Sequence, residues 1–146
     1  MLSMTGETII KKTVEKTAHT GNILLVDDDK FLLDMYSMKF VQEGYSVQAC
    51  TSGKDAIDIV RGGFAPDAIL FDITMPECDG FQFLEEVMKN HLADHAVKLA
   101  LTNQNADEER KRILELGADQ YLIKATIIPS EVVNIVNTAL SGRRAA

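Results

Sequence analysis

Five short apolar runs, at Ile23 to Val26, Tyr45 to Cys50, Ala68 to Phe71, Val97 to Leu101 and Gln120 to Ile123, punctuate the chain, and each predicts a strand. Between them apolar residues recur at helical spacing: Leu33, Tyr36 and Phe40, then Ile57 and Val60, then Phe83, Leu84 and Val87, then Ile113 and Leu116. A last helix is expected to bury Val132, Val136 and Ala139. Start signals fit this segmentation, because Ser52 and Asn105 each stand three residues before an acid, Asp55 and Glu108, as capping residues do. Pro129 suits a first helical turn, and Gly44, Gly117 and Gly142 stand where helices are expected to stop.

Strand and helix thus alternate, which implies parallel strands joined by helical crossovers. The runs ILLV and AILF are apolar at every position, as strands covered on both faces are. The predicted architecture is a doubly wound α/β sandwich with five parallel strands and helices on both faces. The expected division is a flexible tail over 1–21, a domain over 22–142 and a short tail over 143–146.

Composition narrows the function classes. The 146 residues suffice for one domain with a sizeable core. A formal net charge of -7 repels phosphate backbones, which argues against direct nucleic-acid binding. No apolar run approaches the roughly 18 to 20 residues of a membrane-spanning helix. The N-terminal Ile9 and Ile10 precede Lys11, Lys12 and Lys16, the wrong order and too short for a secretion signal, so a cytoplasmic location is expected. Cys50 and Cys78 lack C-x-x-C spacing, and reduced thiols are expected.

The chemistry lies after the strands, since open parallel sheets bind ligands beyond the carboxyl ends of their strands. Asp27, Asp28 and Asp29 follow the first run, Asp72 the third, Thr102 the fourth and Lys124 the fifth. Carboxylates held together raise one another's pKa unless a cation neutralises them, which implies a divalent metal. Oxygen donors suit Mg2+, whereas zinc would want His or Cys, and neither is suitably placed. With the charge offset, Asp72 can act as a nucleophile toward phosphorus, with Lys124 and Thr102 as donors to the transferring group.

These residues resemble the receiver domains of two-component response regulators, in particular the single-domain chemotaxis type. The resemblance runs from about Asn22 to Leu140 and rests on LLVDDD at Leu24 to Asp29, LFDITMPECDG at Leu70 to Gly80, LT at Leu101 and Thr102, and GADQYLIK at Gly117 to Lys124. It implies a flavodoxin-like strand order 2-1-3-4-5. It makes Asp72 the phosphoacceptor, which takes its phosphoryl group from a histidine kinase or histidine phosphotransfer protein. Asp27, Asp28, Asp72 and the Thr74 backbone carbonyl become the Mg2+ ligands, and Thr102 and Lys124 contact the phosphoryl group. Asp29 is read as a helix cap. Met75, Pro76, Asp79 and Gly80 shape the turn after the acceptor, and Tyr121 is the aromatic switch residue. Such a domain catalyses its own phosphorylation and dephosphorylation, and its output passes to a protein target through the fourth helix, fifth strand and fifth helix.

The sequence departs from the family after the lysine, where Ala125 replaces the usual proline; a cis bond there would cost about 2.5 to 4 kcal/mol, so a trans peptide is expected. Asn103 stands where the family usually has a small residue, which narrows access to the acceptor. The alternative reading of the same residues is a degenerate receiver that serves as a phosphorylation-independent docking module. Two other classes fit less well. A haloacid-dehalogenase-type phosphatase wants a second Asp where this chain has Thr74, and a flavodoxin-like cofactor binder wants a phosphate-cradling loop where it has three aspartates.

Overall fold

The computed structural model describes residues 20–145, with side chains through Arg143. The expected N-terminal tail lies outside the described residues, apart from Thr20 and Gly21. Five strands, β1 (Asn22–Val26), β2 (Ser46–Cys50), β3 (Ala68–Asp72), β4 (Val97–Thr102) and β5 (Gln120–Ile123), alternate with five helices. The helices are α1 (Lys30–Gln42), α2 (Gly53–Arg61), α3 (Gly80–Lys89), α4 (Asp107–Leu116) and α5 (Pro129–Ala145). All the strand pairings are parallel, and the order across the sheet is β2-β1-β3-β4-β5.

Side chains alternate across the sheet and divide the core into two halves. Leu24, Val26, Ile69, Phe71 and Ala100 pack against Ala56 and Val60 of α2, Phe83, Leu84 and Val87 of α3, and Ile113 of α4. Ile23, Leu25, Leu70, Leu99 and Leu101 point the other way, onto Leu33, Tyr36 and Phe40 of α1 and Val132, Val133 and Val136 of α5. Burial on both faces is why β3 and β4 have no exposed position, and why an alternating pattern is missing from their sequence.

Caps set the helix starts. Asp29 precedes α1 and its carboxylate accepts from the Phe31 and Leu32 amides, as expected. Ser52 accepts from the Asp55 amide before α2. Asp79 and Gln82 form a reciprocal capping box at the start of α3. Two expectations are corrected. Asn105 does not cap α4; Ala106 precedes that helix without a side-chain bond, and the charges of Asp107, Glu108 and Glu109 in the first turn favour the positive helix end instead. Nor does the last helix stop at Gly142, because α5 continues to Ala145. A single helix-interior glycine costs only about 1 kcal/mol relative to alanine, too little to end a helix by itself.

The loop between β3 and α3 is the tightest place in the fold. Glu77 takes a positive φ of 66°, and the Cys78 amide donates to the Pro76 carbonyl across it at 2.7 Å. That is a three-residue turn, a strained geometry seen where structure is over-determined. Gly80 then passes so close to the strand end that a Cβ there would lie 2.6 Å from Ile73 Cα and 2.7 Å from the Asp72 carbonyl oxygen. Both atoms are backbone and cannot yield cheaply.

Gly80→Ala is therefore expected to lower stability by about 1 to 3 kcal/mol, measured as the urea midpoint at unchanged slope. Gly142→Ala, whose Cβ meets nothing within 4 Å, is expected to raise it by up to about 1 kcal/mol.

Candidate functional site

Strand register brings the site together. Val26 pairs with Phe71, so Asp27 and Asp72 each stand one step beyond the same rung. Asp72 pairs with Leu101, which puts Thr102 one step further along, and Thr102 pairs with Ile123, which does the same for Lys124. Because every strand runs the same way, four residues separated by up to 97 positions converge on one sheet edge without any special loop.

The Lys124 ammonium bridges two carboxylates. It donates to Asp27 Oδ2 at 2.7 Å and stands 3.2 Å from Asp72 Oδ2, and the side chains of all three are only 5 to 6% exposed. The remaining oxygens are held from the backbone: the Asp29 amide donates to Asp27 Oδ1 at 2.9 Å, and the Thr74 amide donates to Asp72 Oδ1 at 3.2 Å. Asp28, one residue on, is exposed. Carboxylate oxygens of Asp27, Asp28 and Asp72 lie within 4.8 Å of one another, a grouping that could hold a metal ion.

Electrostatics follow from two buried carboxylates sharing one cation. Burial pushes the Asp72 carboxyl up to about 6, the Lys124 charge pulls it down, and the neighbouring Asp27 pushes it up again. Burial alone would lower Lys124, but its hydrogen bond to Asp27 and the charges of Asp72 and Asp27 outweigh that and hold it above its ordinary value. Tyr36 of α1 feels the same cluster: burial raises its phenol first, opposed by Lys124 and reinforced by Asp27.

Such a cluster at this edge of this strand order is matched by a known sequence pattern. The family profile described as "Response regulator receiver domain" matches residues 23–137. The chain belongs to the response-regulator receiver family. Among curated relatives, the response regulator SaeR of Staphylococcus aureus is 32% identical over 120 residues, spanning 82% of this chain and 50% of its own length. The chain thus spans about half the length of that curated relative. Among solved structures, a CheY-like receiver domain protein from Methanospirillum hungatei JF-1 is 27% identical with a TM-score of 0.79, covering 87% of this chain and 98% of its own. The receiver domain of DrrB, solved in a state activated by BeF3, is 25% identical with a TM-score of 0.72, covering 84% of this chain and 99% of its own.

Within this receiver domain, the side chains singled out for chemistry from the sequence fall in two groups. Asp27, Asp28, Asp72 and Lys124 meet at one point. Thr102 is fully buried beside them, but its hydroxyl donates to Glu109 Oε1 of α4 at 3.0 Å and accepts from the Gln104 amide at 3.1 Å. Tyr121 belongs to this second set, its phenol lying 2.6 Å from the Gln104 carbonyl and 2.8 Å from Glu109 Oε1. Lys124 opens a short 3-10 turn (Lys124–Thr126), and no described peptide bond is cis, in line with Ala125 in place of proline. Sequence reasoning missed Glu109, which reads as one acid in a solvated run.

With a chelator present at neutral pH, Asp72→Asn is expected to stabilise the fold by on the order of 1 to 3 kcal/mol, read from urea unfolding. It removes one of two buried carboxylates while leaving Lys124 paired with Asp27. A fall in stability would mean that the pair with Lys124 outweighs the burial of the charge.

Proposed function

We propose that Asp72 accepts a phosphoryl group from the phosphohistidine of a kinase or phosphotransfer protein, and that the resulting change alters protein contacts. The observation that carries this reading is the Lys124 ammonium held between Asp27 and Asp72 beside the exposed Asp28. In the transfer, an Asp72 oxygen forms a bond to phosphorus as the bond to the histidine nitrogen breaks, and that nitrogen keeps the electron pair. Lys124, already 3.2 Å from Asp72 Oδ2, is placed to neutralise an equatorial oxygen of the transferring group.

The donor set is all oxygen and partly exposed, which suits Mg2+ held by Asp27, Asp28, Asp72 and the Thr74 carbonyl. Asp27 already uses one oxygen on the Asp29 amide and the other on Lys124, so its contribution fits best through water. When bound, the ion supplies charge neutralisation for the incoming phosphate. The Thr74 amide donates to Asp72 Oδ1 and fixes the orientation of the nucleophile. Thr102 is the hydroxyl that turns to the new phosphoryl group, and Tyr121 is the residue that follows it.

Access favours a protein donor. Phe31, on the first turn of α1 just after Asp28 and Asp29, is 76% exposed, and further along α1 the exposed Met38 lines a groove with Ile128. An exposed aromatic side chain on the turn that follows the acidic residues suits contact with a protein. Output through α4, β5 and α5 is supported by the hydrogen-bonded link from Thr102 through Glu109 to Tyr121, which joins the site to that face. Among the described residues no helix is long and apolar enough to cross a membrane.

Acetyl phosphate with Mg2+ is expected to add one phosphoryl mass to the intact chain, and Asp72→Asn is expected to abolish it. Uptake that persists in Asp72→Asn would refute Asp72 as the acceptor, and failure of the unsubstituted chain to take up phosphate would leave a docking module. Mg2+ at a hundred times its Kd should also stabilise the fold by about 2.7 kcal/mol, and Asp28→Asn should remove most of that gain in thermal unfolding.

A further inference from the structure

The Thr102 hydroxyl has one proton, and in this structure that proton is committed to a group other than Asp72. It is donated to Glu109 Oε1 at 3.0 Å, while the oxygen accepts from the Gln104 amide at 3.1 Å. Thr102 is fully buried, so the hydroxyl can change partner only by leaving one protein group for another. Tyr121 has likewise one phenolic proton, and it lies between Glu109 Oε1 at 2.8 Å and the Gln104 carbonyl at 2.6 Å. A single carboxylate oxygen is therefore the common acceptor for the two hydroxyls, with Gln104 joining them through its amide and its carbonyl.

Glu109 is not needed for α4 itself. Asp107 and Glu108 already place negative charge in the first turn, and Glu109 is the one of the three acids that is turned partly inward. Its only recorded side-chain bonds among the described residues are these two.

We propose that Glu109 is the positioning residue that sets the resting state of this switch: its carboxylate holds the Thr102 hydroxyl, and with it the Tyr121 phenol, on the α4 side until a phosphoryl group displaces it. The inference rests on the reading of Asp72 as phosphoacceptor and adds to it what opposes activation. For Thr102 to donate to a phosphoryl oxygen it must break its charge-assisted bond to Glu109. The Gln104 amide then loses its acceptor, so the loop Asn103 to Ala106 moves with the threonine. Tyr121 loses its Gln104 acceptor in the same step, which leaves its phenol held on the α4 side by Glu109 alone. A ligand that draws Thr102 inward must overcome that bond, and its apparent affinity is reduced accordingly.

Removing the carboxylate should therefore favour the activated state. Beryllofluoride with saturating Mg2+ serves as the probe, titrated into the full chain by isothermal calorimetry. Glu109→Ala is expected to bind it about tenfold more tightly than the unsubstituted chain, the equivalent of one hydrogen bond to a charged group. Glu109→Gln, which keeps an acceptor but loses the charge, is expected to fall between the two and guards against a loss of folding in the alanine variant.

Simple repulsion between Glu109 and an incoming anion would also tighten binding, and the Thr102→Ala background separates the two explanations. A positioning role requires the gain from Glu109→Ala to vanish once Thr102 has no hydroxyl, whereas repulsion would persist. Unchanged affinity in both Glu109 variants, or a gain that survives in the Thr102→Ala background, overturns the inference while Asp72 keeps its role. Absence of beryllofluoride binding by the unsubstituted chain overturns both.

Discussion

Two carboxylates that share one ammonium in a nearly dry site are the constraint on which the rest of this molecule depends. Asp27 and Asp72 are each 4% exposed, and isolated charges so placed would be severely unfavourable in a folded chain. Lys124 makes their burial tolerable, and the backbone amides of Asp29 and Thr74 hold the oxygens it does not fill. The compensation is incomplete, since the Asp72 carboxyl still rises to about 6 against the pull of Lys124. A site left with excess negative potential next to the exposed Asp28 is suited to take up a hard cation, and with it an anion that would otherwise be repelled.

The scaffold provides that site through register. Parallel strands end together, so residues following β1, β3, β4 and β5 become neighbours although they are far apart in the chain. Asp72 leaves β3 through a tight exit that carries strain: a positive φ at Glu77 and the close approach of Gly80 to the strand backbone. The segment that carries Asp72 is thus among the least free to deform. The segment after β4 is different, because its geometry depends on side-chain hydrogen bonds among Thr102, Gln104, Glu109 and Tyr121. Movement is expected in the second and not in the first.

Much of this was legible in the sequence because the signals were local. Apolar runs such as AILF marked the strands, Ser52 and Asp29 marked helix starts, and the residues directly after each run identified Asp27, Asp72, Thr102 and Lys124. The family motif pointed to the same residues. What escaped depended on side-chain direction in irregular backbone. Whether Glu109 faces water or Thr102 is set by the path of Asn103 to Ala106, for which no periodicity exists, and so its role was invisible in an acidic run. The failed cap at Asn105 has the same origin: the loop runs one residue further than the capping spacing implied, and α4 begins at Asp107. Gly142 misled because a glycine stops a helix only where the backbone needs a positive φ, and in α5 nothing demands one.

The central claim is that phosphoryl chemistry at Asp72 is coupled to the rearrangement of Thr102 and Tyr121. The most direct measurement follows backbone amides by NMR as beryllofluoride is added to the Mg2+-saturated chain. The account requires resonances of Asp72, Thr102 and Lys124 to shift together with those of Gln104, Glu109 and Tyr121. Shifts with Mg2+ alone, and none upon beryllofluoride, would contradict it and leave a metal-binding domain with a fixed shape.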